Sequence, residues 1–105
     1  MTNPWVLVLL AGILEMVWAL GLKYSDGFTR FWPSVITAIA VVGSFVLLST
    51  AMKSLPVGTA YAVWVGIGAA GTAIAAVFLF DEPVNAMRVA GVALVIAGIA
   101  VLKFA

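Results

Sequence analysis

One carboxylate stands where apolar residues should be. In the stretch Gly12-Ile13-Leu14-Glu15-Met16-Val17-Trp18-Ala19-Leu20, Glu15 lies inside a run that is apolar from Pro4 to Leu22. At the centre of a membrane-crossing helix an acidic side chain costs ~2.5–3.5 kcal/mol on insertion scales, so such residues are rare and face a cavity or a bundle interior. Neither Lys nor Arg occurs at comparable depth in any apolar run of this chain, so no permanent counter-charge is available. The expected partner of Glu15 is therefore a proton or a cation. A protonated Glu hydrogen-bonded to a neighbouring helix is the purely structural alternative. Trp18 follows Glu15 by three residues and shares its face with the small residues Ala11, Gly12 and Ala19, which leave room beside the carboxylate. Further along, Ser44 offers a hydroxyl at mid-depth of a second run, and Tyr61 and Trp64, three apart, share a face that Gly68 continues.

Other chemistries lack their parts. The chain has no Cys and no His. Disulfides, thiolate nucleophiles, a zinc centre and a histidine general base are thus excluded, and neither metal, cofactor nor enzymatic activity is expected. A net charge of +1 gives no footprint for nucleic acid.

The elements that must position Glu15 follow from composition. Of 105 residues, 66% are hydrophobic and 9% charged, against roughly 45–50% and about 25% in soluble domains. The lipid bilayer is the expected surroundings. Four apolar runs, residues 4–22, 33–52, 56–80 and 85–102, each approach the ~20 residues that a helix needs to cross the hydrocarbon core. Membrane strands would need only about 9–11 residues of alternating polarity, and these runs are apolar on all sides. Pro4, Pro33, Pro56 and Pro83 each mark the start of a run, where a missing N–H is harmless. Turn residues fill the gaps at Ser25-Asp26-Gly27, Lys53-Ser54-Leu55 and Asp81-Glu82-Pro83. The first run lacks a basic leader and is too long for a signal peptide, so it reads as a permanent helix. The expected fold is a single all-α integral membrane domain of four transmembrane helices, residues 1–105. Trp5, Trp32 and Phe104 fit an interfacial aromatic belt.

Glycines and charges suggest how copies of the chain combine. Gly66, Gly68 and Gly71 punctuate the third run, either for close packing or as a hinge, with Gly66 and Gly68 the hinge candidates. In the fourth run Gly91 and Gly98 are seven apart and share a face suited to dimer packing. With four spans, Lys53 and Lys103 share one side of the membrane, while Lys23, Arg30 and Arg88 share the other. So balanced a distribution leaves the positive-inside rule little to act on and permits insertion both ways. Four helices are too few to surround an alternating pathway, so self-association is expected. Two oppositely inserted copies would supply the inverted symmetry that many transporters build internally.

The whole chain resembles the small multidrug resistance transporter family, and within it the guanidinium-exporter branch. The resemblance is carried by "LEMVWALGLKYSDGFTR", "WPS", the "KSLPVGTAYAVWVGIGA" stretch, "DEP" and "GVALVIAGIAVL". It implies an antiparallel, dual-topology homodimer in a bacterial inner membrane, exchanging guanidinium-type cations for protons. Protons and substrate would compete for paired Glu15 carboxylates lined by Trp18, Ser44, Tyr61 and Trp64, with the hinge at the glycines of helix three. Val65 departs from the pattern: members of the family often carry Ser or Thr after the tryptophan, and Val brings no hydroxyl. Quaternary-ammonium export is the alternative within the family. A passive cation channel would also use an acid but would leak without a proton gradient, and a non-transporting assembly subunit would have no use for Glu15.

Overall fold

The computed structural model describes residues 3–105 as four helices in chain order: α1 (Pro4–Tyr24), α2 (Phe31–Ala51), α3 (Val57–Leu79) and α4 (Ala86–Phe104). All four are long and apolar enough to cross a membrane. Their starts are set by local chemistry. Asn3 caps α1 by accepting from Trp5 N at 2.9 Å, with Pro4 in the first helical position, and Asn85 caps α4 by accepting from Arg88 N at 2.9 Å. In α2 the helix begins at Phe31, two residues before Pro33, because the first four N–H groups of a helix have no intrahelical acceptor and a proline there removes nothing. The fourth helix runs on to Phe104, since Lys103 suits a helix C-terminus.

Packing is uneven. Helix α1 packs against both α2 and α3, whereas the backbone of α4 lies against α3 alone among the described residues, and α4 reaches α1 through the Lys103 side chain. Up-and-down order makes α1 and α3 parallel, and their C-terminal ends are joined by aromatic contacts: the Tyr24 and Phe80 rings lie 5.1 Å apart and Lys23 Nζ sits 5.3 Å from the Phe80 centroid. At the opposite end, Lys103 Nζ lies 5.9 Å from the Trp5 ring. Between α1 and α2 the chain reverses through Ser25, which is fully buried, donates to Leu22 O at 2.8 Å and accepts from Phe28 N at 3.2 Å. Gly27 there has φ +70°, a conformation that a side chain would strain.

The core lies below Glu15, toward the chain termini: Val8 and Ala11 of α1, Leu48 and Ala51 of α2, and Ala60, Val63 and Trp64 of α3. Lipid tails are as apolar as these side chains, so helix association in a bilayer depends on close packing and interhelical hydrogen bonds rather than on apolar burial. Glycine makes the closest approaches. A methyl group at Gly21 would overlap Thr37 of α2, and one at Gly12 would overlap Cβ and Cγ2 of Ile67 on α3.

Candidate functional site

Two ladders of residues at four-residue spacing form the seam between α1 and α3. On α1 the rungs are Ala11 and Glu15, with Ala19 next at the same spacing; on α3 they are Trp64 and Gly68, followed in sequence by Thr72. Because the helices are parallel and the spacing equals about one turn, the rungs stay in register over successive ~6 Å steps.

The lowest rung is a hydrogen-bonded tie. Ser44 of α2 donates its hydroxyl to Ala11 O at 2.7 Å, and Trp64 Nε1 donates to Ser44 Oγ at 2.9 Å and to Ala11 O at 3.3 Å. Three helices are thereby joined at the carbonyl one turn before Glu15. Ser44 and Trp64 are both buried, at 0% and 6% exposure, so the tie excludes lipid and water. Each such bond contributes about 0.6–2 kcal/mol in a membrane. Phe45 packs edge-on against Trp64 at 5.7 Å, and the Tyr61 ring lies 5.6 Å from it on the outer side, with Tyr61 itself exposed. The tie therefore fixes the Trp64 indole plane, with Tyr61 on its outer side.

Glu15 occupies the middle rung, near the centre of α1, with its carboxyl lying where Gly68 has no side chain. A Cβ on Gly68 would overlap the carboxyl carbon and Oε2. The missing side chain is what α3 contributes here. Gly71 receives Met16 in the same way, and Gly66 receives Ile99 of α4. These glycines are filled seats in a helix that is continuous from Val57 to Leu79.

Electrostatically the seam holds one acid and no counter-charge. The charged residues other than Glu15 lie in loops or at helix ends, and Arg88 is engaged with Glu82 at 2.9 Å. Among the described residues, three buried side-chain polar atoms have no hydrogen-bond partner: Glu15 Oε2, Trp18 Nε1 and Thr72 Oγ1. All three come from α1 and α3. A buried polar atom left unpaired costs about 1–3 kcal/mol, so each of the three needs an account. No set of His, Cys, Asp and Glu that could hold a metal ion occurs among the described residues.

Of the residues singled out from sequence, Ser44 and Trp64 are in direct contact, and Tyr61 adjoins them. Glu15 and Gly68 meet across the seam, and Trp18 is half-buried on the Glu15 face. Gly91 and Gly98 lie apart on α4, with open space around them among the described residues. Val65 belongs to the partly buried shell of the core. Thr72 was missed. Its signal in the sequence was the four-residue step from Gly68, which carries meaning only once Gly68 is known to face Glu15.

Residues 3–95 match the model of the family described as Small Multidrug Resistance protein. The chain is 58% identical over 99 residues to a guanidinium exporter of Escherichia coli strain K12, covering 94% of each chain. It is 54% identical over 101 residues to a guanidinium exporter of Yersinia pseudotuberculosis, covering 96% of this chain and 97% of the relative. A guanidinium exporter of Citrobacter freundii is 54% identical over 99 residues, 94% of each chain.

Proposed function

The chain belongs to the Small Multidrug Resistance protein family, and from that premise we propose that it exports guanidinium and small substituted guanidinium ions across the bacterial inner membrane in exchange for protons. The observation that carries the reading is the Glu15 carboxyl, seated on Gly68 in a seam without Lys or Arg and with Oε2 unpaired. A planar guanidinium meets a carboxylate with two parallel N–H···O bonds and also stacks on an indole or phenol face. Trp18, Trp64 and Tyr61 supply such faces, and Ser44 holds Trp64 in place. A methyl-covered ammonium has no N–H to donate and leaves the desolvated acid unsatisfied.

Exchange follows from shared occupancy. Proton and guanidinium both bind the Glu15 carboxylate, so one leaves before the other enters. Two oppositely inserted copies, packed through the α4 face that bears Gly91 and Gly98, bring two such carboxylates together, and α3 flexes at Gly66 and Gly68 to open the site alternately to each side. Near-equal Lys/Arg counts on the two sides support this dual topology.

The test is transport by purified protein in liposomes, with binding followed by tryptophan fluorescence across pH 5–9. A proton gradient should drive guanidinium accumulation. As pH falls, protons occupy more of the carboxylates, so guanidinium affinity should weaken by up to about tenfold per pH unit for each coupled proton, then level off at high pH. Affinity independent of pH, or tetramethylammonium binding as tightly as guanidinium, would overturn the proposal.

A further inference from the structure

We infer that Thr72 is a further substrate-binding residue, its hydroxyl oxygen accepting an N–H from the guanidinium-type cation held on Glu15. The inference rests on the substrate reading given above and adds to it a contact outside the residues singled out from sequence.

Three observations converge on Thr72. Its Oγ1 is buried and without a partner, as is Glu15 Oε2. Hydroxyls inside helices ordinarily return to the carbonyl four residues back, and Thr37 does so to Pro33 O at 2.7 Å and Thr50 to Val46 O at 2.9 Å. Thr72 makes no such bond to Gly68 O. Finally, helical side chains lean toward the N-terminus, so Thr72 covers the turn that begins at Gly68, and Gly68 is where the Glu15 carboxyl sits.

Donor and acceptor chemistry decides what belongs between them. Ionised Glu15 can only accept, and Trp18 Nε1 can only donate. A guanidinium carries six N–H groups, two of which serve the carboxylate fork, so it needs acceptors beyond the acid. Thr72 provides one through its hydroxyl oxygen, which has no bond within the chain. A cation without N–H groups gains nothing from it. Thr72 thus favours guanidinium over ammonium ions that carry only carbon substituents.

Removing the hydroxyl while keeping its shape is the direct test. Guanidinium binding to the purified full chain should be measured by tryptophan fluorescence at an alkaline pH where protons do not compete. Thr72→Val should weaken affinity by about ten- to a hundredfold, the effect of one hydrogen bond to a charged group. Thr72→Ser should stay within about twofold of the unmodified chain, and Thr72→Ala supplies a second hydroxyl-free variant should Val pack poorly. Equal affinity in the hydroxyl-free variants and the unmodified chain would overturn the role of Thr72 while leaving guanidinium binding intact. A loss in Thr72→Ser as large as in Thr72→Val would also overturn it, because shape rather than the hydroxyl would then be responsible. No guanidinium binding by the unmodified chain would overturn this inference and the proposed function together.

Discussion

The seam between α1 and α3 and the outer face of α4 use one residue type in opposite ways. Both are rich in glycine, and in the seam every space is taken: Gly12 by Ile67, Gly68 by the Glu15 carboxyl and Gly71 by Met16. On α4, Gly91 and Gly98 have nothing described within 4 Å, and no residue of that helix is buried. An apolar groove of about 410 Å³ runs beside it, lined on the α3 side by Ala73 and Val77 and on the α4 side by Val89 and Ile96. Small residues promote helix association only where a partner reaches them. The chain thus fills the glycine spaces of its acid-bearing seam from within, whereas those of α4 stay open in the single chain.

The largest break in that comparison comes from the acid. Glu15→Gln keeps the shape on Gly68 but neither exchanges a proton nor pairs with a cation, so proton-driven guanidinium uptake into liposomes should fall to background. Dimer formation, which we propose runs through α4, should persist in cross-linking. Continued uphill transport by this variant would remove Glu15 from the mechanism.

Within the seam, two glycines should separate chemistry from folding. A methyl at Gly68 meets the far end of a flexible side chain, so the Glu15 carboxyl moves and the fold accommodates it. Gly68→Ala should cost about tenfold or more in guanidinium affinity with little change in thermal stability. At Gly12 the methyl meets Cβ of a β-branched residue that cannot swing aside. Gly12→Ala should therefore destabilise the chain by about 1–3 kcal/mol, read as an earlier thermal transition in detergent. Similar melting of the two variants would show that the seam is looser than its geometry.

The α4 face should respond in a third manner. Gly98→Leu or Gly91→Leu meets open space within the chain, so helix content and thermal unfolding of the single chain should be unchanged. Self-association should weaken by about tenfold or more, measured by energy transfer between labelled copies on dilution in micelles. Undiminished association would move the contact between copies to another face.

The smallest effect concerns orientation. One Cys introduced into the loop between α2 and α3 is the sole thiol of the chain, and it should be labelled from both sides of the membrane in comparable amounts. Two or three added lysines in that loop should shift the ratio and lower transport by that variant expressed alone. One-sided labelling of the unaltered chain would contradict dual insertion.

How much of this was readable in advance depends on the range of the forces involved. A membrane helix satisfies its backbone hydrogen bonds within its own segment, so its existence depends on local composition, and each observed boundary lies within two residues of the expectation from hydropathy and proline placement. Glu15 was legible for a similar reason: the cost of an acid in hydrocarbon is a property of the residue and its immediate run. Trp64 and Ser44 were legible as types at a depth but not as a joint tie to Ala11 O, because that bond needs three helices in a particular register.

Glycine and threonine were least readable. Gly66, Gly68, Gly91 and Gly98 are alike in sequence, and only the position of neighbouring side chains separates a seat for a carboxylate from an open face. Thr72 resembles Thr37 and Thr50 until its hydroxyl is found without the carbonyl bond those two make. The amino-acid sequence by itself determined the four spans, their near-balanced flanking charge and the placing of one acid at mid-depth, since each depends on free energies of transfer summed over a short segment. Tertiary structure alone decided which helix covers that acid and which polar atoms are left unpaired beside it, because small-residue packing is specified by the rotation and register of one helix against another.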